Sequence, residues 1–189
     1  MKLVKRGVRN YTLEGLKTDD FKWKNAEGRP GLNPNYAPQH YIMVWVSSDV
    51  ADQMVEEGFE VRMAEDKKHL EDGVKPYVKF IIKPKMRENQ DTGEEEFVPK
   101  VVMKTPSSTT RFQTKSKLVL IDRSLIEKAD MAFHSWAANE NRPPSLYIDS
   151  FWFTTADSVG TGGDEFDAEY GYASDNVPEP DEEDEVAPF

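Results

Sequence analysis

The stretch Tyr41-Ile42-Met43-Val44-Trp45-Val46-Ser47-Ser48-Asp49-Val50-Ala51-Asp52-Gln53-Met54-Val55-Glu56-Glu57-Gly58-Phe59-Glu60-Val61-Arg62-Met63 decides the fold class. Its first six residues are an unbroken run of strand formers. Ser48 is placed to cap a helix, Asp49 sits in its first turn, and Val50, Ala51, Met54 and Val55 fall on one face. Gly58 stands where a helix ends in a left-handed residue. Residues 59–63 then alternate apolar and charged, the pattern of a half-buried strand. Strand, helix, strand, then further strands with no alternating helices, argues against a parallel α/β sheet. A small antiparallel barrel with one packed helix fits instead.

The remaining elements follow the same logic. Residues 77–83 place Val78, Phe80 and Ile82 on one face and Tyr77, Lys79, Ile81 and Lys83 on the other. Strands are predicted at 97–103, 117–121, 129–136 and 145–155, with earlier ones within 3–16 and 20–24. A second short helix or turn is predicted at 124–128, and loops at 25–39, 67–75, 86–96 and 105–116. The run 41–46 is apolar on both sides, so its inward face is left open.

Charge divides the chain in two. The formal net charge is −11, yet residues 157–189 hold 12 acidic side chains and no basic one. The other 156 residues carry 24 Lys or Arg against 23 Asp or Glu, a body near neutrality. Gly, Asp, Glu and Pro dominate the tail, with too few apolar residues to offset the entropy of ordering it, so it is expected to be disordered. The acidic balance therefore does not exclude an anionic ligand for the body.

Several function classes drop out. With no cysteine there is no disulfide or thiolate metal site. No apolar stretch is long enough to span a bilayer, and the basic N-terminus leads into polar sequence rather than a signal core. The expected location is the cytoplasm, that of a host cell if a phage encodes the chain. His40, His69 and His134 show no ligand spacing, and no Walker loop, dinucleotide fingerprint or GxSxG elbow occurs. Gly162-Gly163-Asp164-Glu165-Phe166 spells a cyclase signature, but in a charged tail rather than in the middle of a large α/β domain. Residues 164–175 lack the alternating oxygen ligands of a calcium loop. No catalytic residue, metal or cofactor is expected, and the chain reads as a binding protein rather than an enzyme.

Single-strand binders combine cations that track phosphates with aromatic faces on which bases stack. Phe21-Lys22-Trp23-Lys24 interleaves the two types. Tyr77, Lys79, Lys83 and Lys85 form a second stripe, and Arg111, Phe112, Lys115 and Lys117 a third. The expected contacts to single-stranded DNA are Trp23, Tyr77, Lys79, Lys83, Lys85, Arg111, Phe112, Lys115 and Lys117.

The chain closes in Asp181-Glu182-Glu183-Asp184-Glu185-Val186-Ala187-Pro188-Phe189. This resembles the C-terminal tip of bacterial single-stranded DNA-binding proteins, matched at Asp184, Glu185, Pro188 and Phe189. It departs at Val186, where an acid is usual, and at Ala187, where a larger aliphatic is usual. The body, from the 41–46 strand through the helix, Gly58-Phe59-Glu60-Val61-Arg62, residues 78–83, Pro99-Lys100-Val101-Val102 and the 147–155 strand, resembles the single-stranded DNA-binding proteins of tailed bacteriophages. That resemblance implies an all-β, OB-fold-like five-stranded barrel over residues 1–156, with one or two short helices, and an acidic tail over 157–189. It implies a monomer or homodimer that binds and protects single strands with little sequence preference in phage DNA replication, recombination or repair. Through the tail it would recruit a polymerase, helicase or nuclease. The competing readings are a phage structural or assembly protein with a solubilising tail, and a strand-annealing recombination protein.

Overall fold

Alternation of apolar and polar residues turns most of the body into strands. The computed structural model describes residues 1–30, 37–66, 73–89, 92–137, 139 and 142–155. In chain order these form β1 (Lys2–Lys5), β2 (Asn10–Lys17), β3 (Phe21–Asn25), β4 (His40–Trp45), α1 (Ser48–Glu56), β5 (Arg62–Glu65) and β6 (Val74–Ile82). Then come β7 (Lys85–Glu88), β8 (Glu95–Val98), β9 (Lys100–Lys104), β10 (Thr109–Arg111), α2 (Val119–Arg123), β11 (Ile126–Trp136) and β12 (Ser145–Thr155). Short 3₁₀ turns at Thr18–Asp20 and Lys115–Leu118 lead into β3 and α2.

Among the described residues, ten strands join in one sheet whose main path is β1-β2-β11-β12-β6-β4-β3. The five strands of six residues or more, β2, β11, β12, β6 and β4, are consecutive along it. The body is thus the strand-rich, OB-fold-like sheet with two short helices that the sequence predicts. The shorter β1, β3, β5, β9 and β10 extend it, and β7 and β8 form a separate hairpin. The strand β12 is central. It runs antiparallel to β11 along its length, and its other side lies parallel first to β6, at 146–147, and then to β9, at 150–154.

The core lies on one face of these strands: Ile42 and Val44, Val78, Phe80 and Ile82, and Ala129, Met131 and Phe133 are all buried. In two strands the buried spacing jumps from two to three, Leu13 to Leu16 and Ile148 to Phe151. Each jump falls at a register shift in the pairing, a bulge that lets the strand bend without turning its apolar side outward. In β2 the bulge falls at Gly15, whose φ of +73° suits a residue without Cβ. The core is rich in rings. Phe133 stacks on Tyr11 at 5.5 Å and meets the edges of Phe80 at 4.9 Å and Phe59 at 6.2 Å.

The helix α1 packs Val50, Ala51 and Met54 inward. It ends as the sequence predicts: Gly58 has φ +81°, its N–H bonds the Val55 carbonyl, and the Phe59 N–H reaches back to Met54. Two details differ. The cap position is Ser47, with Ser48 the first helical residue, and Val55 is exposed because the buried stripe is narrower than four residues.

Elsewhere the corrections have a common cause. Residues 117–121, expected as a strand, complete a 3₁₀ turn and α2. Leu118 and Ile121 are buried three apart, a helical spacing that a run of apolar residues conceals. The helix expected at 124–128 is instead the entry to β11. The strand expected at 59–63 begins at Arg62, leaving Phe59 as a buried anchor before it. The expected strand 97–103 is divided by Pro99 into β8 and β9. Residues 86–96 are no simple loop, since 86–88 and 95–96 belong to the strands of the β7–β8 hairpin, and β10 lies within 105–116.

Candidate functional site

The face of β3, β4, β6 and β12 turned away from the core is built of rings and cations in register. One row reads Trp23, Met43, Lys79 across β3, β4 and β6. A second reads Tyr41, Ile81, Tyr147, His134 across β4, β6, β12 and β11. A third reads Trp45, Tyr77, Arg62 across β4, β6 and β5. Successive rows lie two residues apart, roughly 7 Å along the strands. The 41–46 run therefore faces Ile42 and Val44 inward and Tyr41 and Met43 outward, while Trp45, on the outer side by register, is itself buried at 8 % exposed, with the Tyr77 ring against it at 5.8 Å.

Lysines lie over these rings. The Lys22 ammonium is 4.1 Å from the Trp45 ring centre and 4.8 Å from that of Tyr77. Lys79 sits 4.4 Å over Tyr41, and Lys83, just past β6, sits 4.2 Å over Tyr147. Each distance is within the range where an ammonium is attracted to the ring quadrupole. The Lys79 Nζ also donates to Gln39 Oε1 at 2.8 Å. Burial among its neighbours, and then the Arg62 charge, hold the Lys79 pKa below its ordinary 10.5. Arg62 itself is held by Glu60 through two bonds of 2.9 and 3.0 Å, whose pull lowers the Glu60 pKa. Trp23 differs from the other rings of this face. Its side chain is 54 % exposed, and no cation lies over it among the described residues.

Such a surface can hold a flexible polyanion that carries flat groups. Phosphates meet the ammoniums, and bases meet the ring faces.

Of the residues expected from sequence, Trp23, Tyr77, Lys79 and Lys83 share this face. Lys85 is exposed but belongs to the β7–β8 hairpin. Arg111 lies on β10 opposite Val102 and is paired with Glu96 at 2.9 Å, while Lys115 and Lys117 are exposed on a 3₁₀ turn. Phe112 corrects the third stripe. It is 0 % exposed and packs against Phe153 at 6.3 Å, so no ring face is open to a base. A lone phenylalanine in a polar loop is there because the core needs it.

Among solved structures, the neighbours are phage single-stranded DNA-binding proteins. One is the single-stranded DNA-binding protein from bacteriophage Enc34 in complex with ssDNA, with TM-score 0.46 and 11 % identity, covering 83 % of this chain and 94 % of that one. The same Enc34 protein in another structure gives 0.43 and 12 %, covering 89 % and 99 %. A third neighbour is gp2.5, a single-stranded DNA binding protein encoded by bacteriophage T7, with TM-score 0.36 and 13 % identity, covering 89 % and 96 %. No family model matches the sequence, and no curated protein does.

Sequence reading missed Lys22, Tyr41, Trp45 and Tyr147 as members of the face. Lys22 was visible in the interleaved 21–24 segment, but its partner rings lie on other strands. Lys24 of that segment points elsewhere, its Nζ donating to the Ser124 carbonyl. Among the described residues, no helix is long and apolar enough to cross a membrane, and no cluster of acidic or histidine side chains could hold a metal ion. The tail 157–189, with Asp184, Glu185, Pro188 and Phe189, lies outside the described residues, as do 31–36 and 67–72 of the expected loops.

Proposed function

We propose that this chain binds single-stranded DNA, with little sequence preference, on the outer face of β3, β4, β6 and β12. The observation that carries this reading is the register of Trp23, Tyr41, Tyr77 and Tyr147 with Lys22, Lys79 and Lys83 on that face. Stacking is tolerant of sequence because every base has a π-face, and phosphate contacts carry no sequence information. Backbone and ring recognition of this kind serves replication, recombination or repair, with no chemistry required of the protein.

Residues 1–156 would form the binding domain, and 157–189 a tail that recruits partners. A basic-rimmed pocket on a polymerase, helicase or nuclease would take the acidic run and terminal carboxylate around Asp184 and Glu185, and its apolar floor the Pro188-Phe189 end. The test is tryptophan fluorescence titrated with oligo(dT) and with duplex of equal length. Quenching by the single strand, with weaker binding of the duplex, is expected, because Trp23 would stack on bases. Equal affinity for both would overturn the reading, and no response to either would favour a structural or assembly protein. For the tail, Phe189→Ala should abolish capture of a purified partner while leaving DNA affinity intact, and retained capture would refute recruitment through Phe189.

A further inference from the structure

Beyond the 147 end of β12, the same outward side of the strand continues to a second aromatic and cationic surface. The bulge between Ile148 and Ser150 keeps Tyr147, Trp152 and Thr154 on one side, while Phe151 and Phe153 stay buried. Trp152 is 48 % exposed, and the Lys100 ammonium lies 5.2 Å over its ring. One step further, Lys104 of β9, Thr154 of β12, Lys128 of β11 and Lys17 of β2 form a single registered row. Neighbouring strands are about 4.8 Å apart, so three lysines fall within roughly 15 Å. They border a trough of about 650 Å³, which Trp152 and Gly15 also line.

Two features leave this row with an uncompensated positive charge beside an exposed ring. Lys5, Arg6, Arg62 and Arg111 are each held by a carboxylate at 2.6–2.9 Å. Among the described residues, no carboxylate lies within ion-pair distance of Lys17, Lys104 or Lys128. The one acid lining the trough, Asp130, accepts the Gly15 N–H at 2.8 Å. The geometry of the Gly15 bulge thus engages the acid and leaves the three ammoniums facing outward.

We infer that the bound single strand runs on from the Tyr147 end of the first face, along β12, to stack on Trp152 and lay its phosphates on Lys104, Lys128 and Lys17. This rests on the single-strand reading proposed above and extends its path. Lys100 stands opposite Ser150, between the two surfaces, and so carries the strand across. Tyr147 and Trp152 are five residues apart, about 16 Å of strand, which spans about five nucleotides at a stacked spacing of ~3.4 Å.

The experiment uses the full chain and two oligo(dT) probes. One is about 5 nucleotides, enough for the first face only, and one is about 14, within the ~4–16 nucleotides that an OB fold occupies. Trp152→Ala and the double variant Lys104→Gln/Lys128→Gln alter exposed side chains, and circular dichroism verifies the fold. The long probe should lose at least about tenfold in affinity with Trp152→Ala, within the range of one lost stack. Its log–log salt slope should become shallower by roughly 1.4 in the double variant. The short probe should bind all three proteins alike. If wild type binds both probes and the variants leave the long-probe affinity and slope unchanged, the extended path is wrong while the first face stands. Two short probes per protomer, reduced to one by Trp152→Ala, would make the trough a separate site and overturn continuity. If wild type binds neither probe, the single-strand reading itself falls, and the path with it.

Discussion

The two faces of the same strands use aromatic residues in opposite ways. Inside, rings meet rings: Phe133 is enclosed by Tyr11, Phe59 and Phe80, and Phe151 stacks on Phe153 at 5.2 Å. Outside, ammoniums join the rings: Lys22, Lys79, Lys83 and Lys100 each lie over an aromatic side chain, and Tyr147 also stacks on His134 at 5.5 Å and Trp45 meets Tyr77 at 5.8 Å. An inner ring is fixed by its neighbours and can only stabilise the fold. Outer rings other than Trp23 lie under a lysine ammonium, which under the proposed function would give way to a base. The same residue type is structural on one side and, under the proposed function, ligand-binding on the other, and a single step along the strand separates the two.

The sharpest way to break this contrast is at Phe133. Phe133→Ala should lower unfolding free energy by about 3–5 kcal/mol, because it removes a buried ring touched by three others. Urea denaturation checks it, and a shift of the midpoint no larger than that of an outer-face variant would erase the distinction. Next in size is Trp23→Ala, which should cost about 1–3 kcal/mol in oligo(dT) affinity and leave the salt slope nearly unchanged. Its stability should move by no more than about 0.5 kcal/mol, since the ring is half exposed.

Lysine variants should show the reverse signature. Lys83→Gln should make the log–log salt slope shallower by roughly 0.7, uniformly across sequences, as expected for one phosphate contact on a single strand. A slope unchanged within error would mean that Lys83 only covers Tyr147. The smallest effect concerns Lys79, whose folded pKa lies below 10.5 because of burial and then Arg62. The fold disfavours its ammonium, so this group's penalty on stability is full below the folded pKa and fades as pH rises through it. A phosphate alongside would favour the charged form. DNA affinity should therefore begin to fall, as pH rises, earlier than a lysine of pKa 10.5 would dictate. Lys79→Arg should remove that early fall, and identical affinity–pH profiles for the two proteins would count against a phosphate at Lys79.

Much of the fold was legible because burial imposes period two on a strand. Residues 77–83 announce both their faces, and β12 occupies the predicted 145–155 span to the residue. The helix end at Gly58 was equally plain, since a left-handed residue there needs glycine. Short apolar runs were not legible. Residues 117–121 look alike as strand or helix when four of five are apolar, and only the packing of Leu118 and Ile121 selects the helix. The site was half legible for the same reason. Lysine and tyrosine alternating with core residues on β6 reveal themselves, whereas Phe112 among cations looks like a stacking residue and is core.

By itself, then, the sequence determined that residues 77–82 and 145–155 are strands, where the first helix stops, and that charge is separated between body and tail, because each depends only on neighbouring residues. The outward turn of Tyr41 and Trp45, the inward turn of Phe112, and the convergence of rings from β3, β4, β6 and β12 on one surface were decided by tertiary structure. Hydrophobicity cannot distinguish two apolar faces of one strand. The deciding contacts, Lys22 over Trp45 and Lys79 over Tyr41, join residues 23 and 38 positions apart that only the register of the folded sheet brings together.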